Sequence, residues 1–182
     1  MSLGYFGKLP DRGDFVSKGV KPSLESAMHR LGSSLIVSGQ ERYGARFADL
    51  FAQMPLYALS AASSSLTLET FAGLFGPSTD SVGRLFPLFV LMEEPGPWQE
   101  TSQEMLSIAA KIVDDAAFEK TPLHEFEERL ASIHLSLPDD SKGLVLSQWS
   151  VNGSLDKSFH FAGIDEACSE ASQFLADGEG GS

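Results

Sequence analysis

Residues 73–91 read Gly-Leu-Phe-Gly-Pro-Ser-Thr-Asp-Ser-Val-Gly-Arg-Leu-Phe-Pro-Leu-Phe-Val-Leu, apolar at both ends and polar in the middle. Gly76 and Pro77 interrupt the first apolar run, Asp80 and Arg84 place opposite charges four residues apart, and Phe86 to Leu91 resumes a second run around Pro87. The pattern specifies a strand, a polar elbow and another strand. The second run, 85–92, is apolar on both faces, as a strand in the middle of a sheet covered by helices must be. Pro87 cannot donate to a ladder, so a bulge or an edge is expected there.

The segments on either side can be placed around this pair. Gly4 to Pro10 reads as a first strand closed by Pro10, with 11–13 turning the chain. Leu24, Met28, Leu31 and Leu35 recur at helical spacing behind Pro22 and Ser23, which predicts a helix ended by Gly39. A second helix over 40–53 would bury Tyr43, Phe47, Leu50 and Phe51 and stop before Pro55. Residues 56–61 predict a short strand, and the small-residue run 61–65 a loop into 66–75. Beyond a turn at 93–97, a helix over 98–118 would use Met105, Ile108, Ile112 and Ala116, and another over 122–135 would use Leu123, Phe126, Leu130 and Ile133. Strands at 144–151 and 158–162 flank Asn152-Gly153, a strong hairpin dipeptide because both residues tolerate positive φ. A helix over 165–176, with Ile164, Ala167, Cys168, Ala171 and Phe174 in step, closes the chain.

No crossover helix lies between residues 56 and 92, so the sheet cannot be strictly parallel. The expected fold is α/β: a three-layer sandwich, its sheet mixed or largely antiparallel, with helices on both faces. A single domain over 4–176 is expected, with 1–3 and 177–182 as flexible ends of the kind cloning leaves.

Cys168 is the only cysteine in 182 residues, so no intramolecular disulfide can form. The longest apolar run falls far short of the roughly 20 residues that span a bilayer. Without a basic, hydrophobic leader the chain reads as cytoplasmic, with no membrane insertion. Net charge is −12 and unevenly spread: residues 1–92 hold eight basic and seven acidic side chains, residues 93–182 five and eighteen. Such a surface repels phosphate backbones, which argues against nucleic acid; it either attracts a basic partner or is simply a solvated face.

Most catalytic chemistries lack their residues. His29, His124, His134 and His160 share no metal-ligand spacing, so neither metal nor cofactor is expected. There is no Gly-x-Ser-x-Gly elbow. Ser154 and Lys157 fall in a hairpin rather than on one helical turn, and Cys168 sits on a buried stripe. Gly4 to Lys8 lacks the spacer and the Ser/Thr of a phosphate loop. One constellation remains: Lys8, Arg12, Asp14, Asp80 and Arg84. Two carboxylates among three cations make either an acid/base site or an ion-pair network that fixes the elbow. No nucleophile or histidine accompanies them, so no catalytic residue is assigned. Arg84 is expected to pair with Asp14 or Asp80, at a cost of about 3–5 kcal/mol for Arg84→Ala if the pair is buried. At least one of Gly7, Gly13, Gly76 and Gly83 is expected at positive φ.

At these two stretches the chain resembles a known family, the type VI secretion system-associated protein TagF, also called ImpM. The pattern Gly-x-x-Gly-Lys-Leu-Pro-x-x-Gly-Asp-Phe-Val is present as Gly4, Gly7, Lys8, Leu9, Pro10, Gly13, Asp14, Phe15 and Val16. A second, Pro-Ser-x-Asp-x-Val-Gly-Arg-x-Phe-Pro-Leu, is present as Pro77, Ser78, Asp80, Val82, Gly83, Arg84, Phe86, Pro87 and Leu88. The resemblance covers the first half of the chain well and thins beyond Met92 to Trp149 and Gly163-Ile164. It implies an α/β sandwich and a non-enzymatic cytoplasmic accessory that restrains assembly of the secretion apparatus after translation. The implied partner is a forkhead-associated-domain scaffold protein. No catalytic residues come with the resemblance. The competing readings are a hydrolase, or a small-ligand sensor, built on Asp14, Asp80 and Arg84.

Overall fold

The computed structural model describes residues 3–61, 71–93, 103–133, 144–149, 155–162 and 164–179. Seven strands form one sheet: β1 (Gly4–Gly7), β2 (Val16–Lys18), β3 (Tyr57–Ala61), β4 (Phe71–Gly76), β5 (Leu88–Glu93), β6 (Leu144–Trp149) and β7 (Leu155–Phe161). Their order is β2-β1-β5-β4-β3-β6-β7, and every pairing is antiparallel. Helices α1 (Pro22–Tyr43), α2 (Phe47–Ala52) and α5 (Ile164–Ser169) lie on one face, and α3 (Gln103–Phe118) and α4 (Leu123–Leu130) on the other.

Strand periodicity divides the core. On β5, Phe89 and Leu91 enter the cluster under α1 with Phe6, Tyr57, Leu59, Phe71 and Phe75, whereas Leu88, Val90 and Met92 enter the cluster under α3 and α4 with Tyr5 and Leu74. Successive side chains point to opposite faces, so a strand apolar throughout needs a helical layer on each side. The α/β three-layer sandwich expected above is therefore present, with a sheet that is antiparallel rather than mixed.

Several boundaries differ from expectation. Strand β5 begins at Leu88, so Pro87 lies just outside the ladder and produces neither a bulge nor an edge; β5 is an interior strand. The Pro87 carbonyl crowds Gly7, where an added Cβ would come within 2.3 Å of its oxygen. Helix α1 runs through Gly39 to Tyr43 and ends at Gly44, whose φ is +55°. The second helix shortens to a 3₁₀ turn, Gly44–Arg46, followed by α2. Glycine does not stop α1 at 39 because the position is filled from outside, by Phe47 and Leu175.

On α3, Ile112 and Ala116 are buried as expected, but Ile108 is exposed, and Ala109 and Val113 are buried in its place. Helix α4 ends at Leu130, with Phe126, Leu130 and Ile133 buried as expected. The closing helix breaks after Ser169 into a 3₁₀ segment, Ala171–Glu179, which extends into the expected flexible end. Leu3, expected outside the fold, is buried. The 61–65 loop lies almost wholly outside the described residues, and the 93–97 turn, the Asn152-Gly153 turn and His134 do so apart from Glu93.

Candidate functional site

The elbow is a closed loop. Thr79 bridges Leu85, Phe86 N–H donates to Ser78 O (3.0 Å), Asp80 N–H to Arg84 O (3.1 Å) and Gly83 N–H to Asp80 O (3.0 Å). Gly83 supplies the turn's left-handed backbone at φ +84°, where a side chain would be strained. Together with Gly7 at φ +144°, it meets the expectation of positive φ among the motif glycines.

Asp80 holds this loop from inside. Its Oδ1 accepts the N–H groups of Val82 (3.1 Å) and Arg84 (2.9 Å), and its Oδ2 accepts Lys8 Nζ (2.9 Å) and Arg84 Nε (2.6 Å). The Asp80 side chain is fully buried and that of Lys8 is 9% exposed, while that of Arg84 is 60% exposed. Burial by itself would raise the Asp80 carboxyl; hydrogen bonds from Lys8, from the Arg84 N–H and guanidinium and from the Val82 N–H outweigh it and hold the group well below the usual carboxylate range.

Three further bonds tie the N-terminal motif to the elbow. Ser78 Oγ donates to Lys8 O (2.8 Å), Ser81 N–H to Arg12 O (2.8 Å), and Arg84 Nη2 to Gly13 O (2.5 Å). Thus the two sequence motifs, some seventy residues apart, form one junction. Of the five residues singled out in the sequence, Lys8, Asp80 and Arg84 meet directly. Arg12 joins through its carbonyl, while its guanidinium lies 3.5 Å from Asp11. Asp14 is exposed and makes no hydrogen bond or ion pair among the described residues, so the Asp14–Arg84 alternative does not form. Asp11 also accepts the Leu123 N–H at the start of α4 (3.1 Å).

The aromatic wall beside this network leaves no local mark in the sequence. Phe15 stacks on Phe6 at 5.5 Å and 2°, meets Phe86 edge-on at 4.8 Å and has Lys8 Nζ 5.3 Å from its centroid, with His29 on the same wall. Two other networks join distant segments. Tyr5 donates to Glu127 (2.6 Å), which also pairs with Lys18. Asp115, buried between α3 and α4, accepts Lys111 and Arg129. An open groove of about 420 Å³ runs along Ile108, Lys111 and Arg129, whose cations are committed to Asp115. Cys168 is half-buried and burial pushes its thiol up, the behaviour of an unreactive group. His160 is exposed on β7.

Chemically, the junction is an anchor. With four donors on its two oxygens, Asp80 has no acceptor position free for a substrate proton or a nucleophilic water.

These features define a class: three-layer antiparallel α/β sandwiches in which an N-terminal loop and a central elbow lock through a buried aspartate. Residues 4–133 match the TagF N-terminal domain, described as type VI secretion system-associated, and the chain belongs to that family. The crystal structure of PA0076 from Pseudomonas aeruginosa PAO1 shares the fold with a TM-score of 0.80 at 22% identity, covering 100% of this chain and 96% of that one. No curated protein matches the chain. Among the described residues no helix is long and apolar enough to cross a membrane.

Proposed function

We propose that this protein is a cytoplasmic accessory of the type VI secretion system that restrains assembly of the apparatus after translation, by binding a protein partner without catalysis. Membership of the TagF family supplies the pathway. The observation that carries the mode of action is the saturation of Asp80: the acid best placed for catalysis is already engaged by Lys8, Arg84 and two backbone N–H groups. A hydrolase built on Asp14, Asp80 and Arg84 would need Asp14 beside Asp80, and Asp14 stands apart. The resemblance favours a forkhead-associated-domain scaffold protein as the partner.

Deletion and overproduction in the native host test this reading. Deletion should release secretion and overproduction should silence it, read as the secreted tube protein in culture supernatant. Secretion unaffected by either change would refute the regulatory role.

A further inference from the structure

We propose that the junction of the two motifs is the docking surface for the protein partner, and that its occupant is a segment presenting an apolar side chain flanked by carboxylates. This deepens the binding function proposed above and rests on it.

The argument starts from what the buried network accomplishes. A buried lysine–aspartate pair returns little stability compared with apolar packing in the same volume, because both charges lose their water. Here it rigidifies a loop whose tip faces solvent. Asp80 Oδ1 holds the Val82 N–H, and the Val82 side chain is 73% exposed. A rigid scaffold presenting loop residues is the usual arrangement of a binding site. Phe15, 44% exposed, belongs to the same junction through the cation–π contact of Lys8 with its ring. Among the described residues the other large exposed apolar side chains, Val37, Ile108 and Phe118, are on α1 and α3 rather than on the two motifs.

Charge specifies the occupant. Arg84 uses Nε on Asp80 and Nη2 on Gly13 O, and Arg12 uses Nε on Asp11. Among the described residues their remaining guanidinium N–H groups have no acceptor. Of the acids around the junction, Asp80 is saturated, Asp11 is engaged with Arg12 and the Leu123 N–H, and Glu127, which Arg12 also feels, is engaged with Tyr5 and Lys18, which leaves Asp14 as the unengaged acid beside the arginines. Arginine is among the residue types that dominate binding energy at interfaces, and its planar guanidinium group matches a carboxylate.

The test complements a deletion strain with Val82→Glu, Arg12→Glu, Asp14→Asn or, as a control, Val37→Glu. None of these side chains is buried, so each variant should melt with the wild type. Val82→Glu and Arg12→Glu should raise the amount of protein needed for half-silencing at least about tenfold, the effect of losing one hot-spot contact. Asp14→Asn should leave that amount unchanged or lower it, and Val37→Glu should behave as wild type. Silencing by Val82→Glu at the wild-type amount would overturn the proposal. So would a raised requirement for Asp14→Asn, since it would mean a cationic partner. A photo-crosslinker at position 82 reads the surface without relying on secretion. An adduct at 82 that is absent at 37 and lost with Arg12→Glu supports the surface even where the wild type fails to silence, the outcome that would refute only the regulatory role. No adduct at 82 overturns it.

Discussion

Replacing Lys8 by methionine removes the ammonium from the junction while keeping a flexible apolar chain of similar length. The group lost sits 2.9 Å from Asp80 Oδ2 and 5.3 Å from the Phe15 centroid. Breaking a buried pair costs about 3–5 kcal/mol when the remaining charge is stranded. Asp80 is not stranded, since Arg84 Nε and two backbone N–H groups still reach it. The cost should therefore be that of one charged hydrogen bond, about 1.5–3 kcal/mol, plus about 0.5–1 kcal/mol for the half-exposed cation–π contact. In a chain of this size that lowers the melting temperature by roughly 4–16 °C. Circular dichroism melts at pH 7 read it directly. Arg84→Ala, from a side chain largely in water, should cost less than Lys8→Met; the full 3–5 kcal/mol expected of a buried pair does not apply to it. An unchanged or higher melting temperature for Lys8→Met would refute the view that Lys8 secures the elbow, and so would a larger loss for Arg84→Ala.

Two other perturbations follow from the same geometry. The Asp80 carboxyl is depressed in the folded state, so its contribution is fully present above the unfolded carboxylate value of about 4 and is lost as pH falls through the folded value. The gap in urea midpoint between wild type and Asp80→Asn should be widest at neutral pH and narrow below about pH 4; parallel curves would show that Asp80 is not depressed. Gly32→Ala should destabilise by about 1–3 kcal/mol, even though alanine is favoured by about 1 kcal/mol in a helix, because the new Cβ would fall 2.4 Å from Cζ of Phe86. Phe86 is held by Phe6, Phe15 and Phe89 and cannot swing aside. A stabilised variant in a urea titration would show that the aromatic wall yields.

What the sequence conveyed and what it hid divide by the range of the signal. The elbow was legible because an apolar run and a proline–glycine break are local, and of the two partners expected for Arg84, Asp80 is the one that pairs with it. The two faces of β5 were legible because a strand apolar at every position needs two helical layers. Strand β2 was not, since Val16-Ser17-Lys18 is too short to show any period. Gly39 read as a helix end because the residues that occupy its groove, Phe47 and Leu175, arrive from elsewhere in the chain. The Tyr5–Glu127 bond joins residues 122 apart and leaves no mark on either local sequence. Asp14 looked equivalent to Asp80 by type and charge; only the fold shows one carboxylate saturated in the interior and the other in solvent.

Dose dependence in the native host tests the central claim most directly. With expression of this protein titrated in a deletion strain and both its amount and that of its partner quantified, stoichiometric binding predicts that secretion falls in proportion to the protein added and that silencing saturates near equivalence. Complete silencing by trace amounts, abolished by Asp14→Asn or Asp80→Asn while fold and partner binding stay intact, would show turnover and contradict the account.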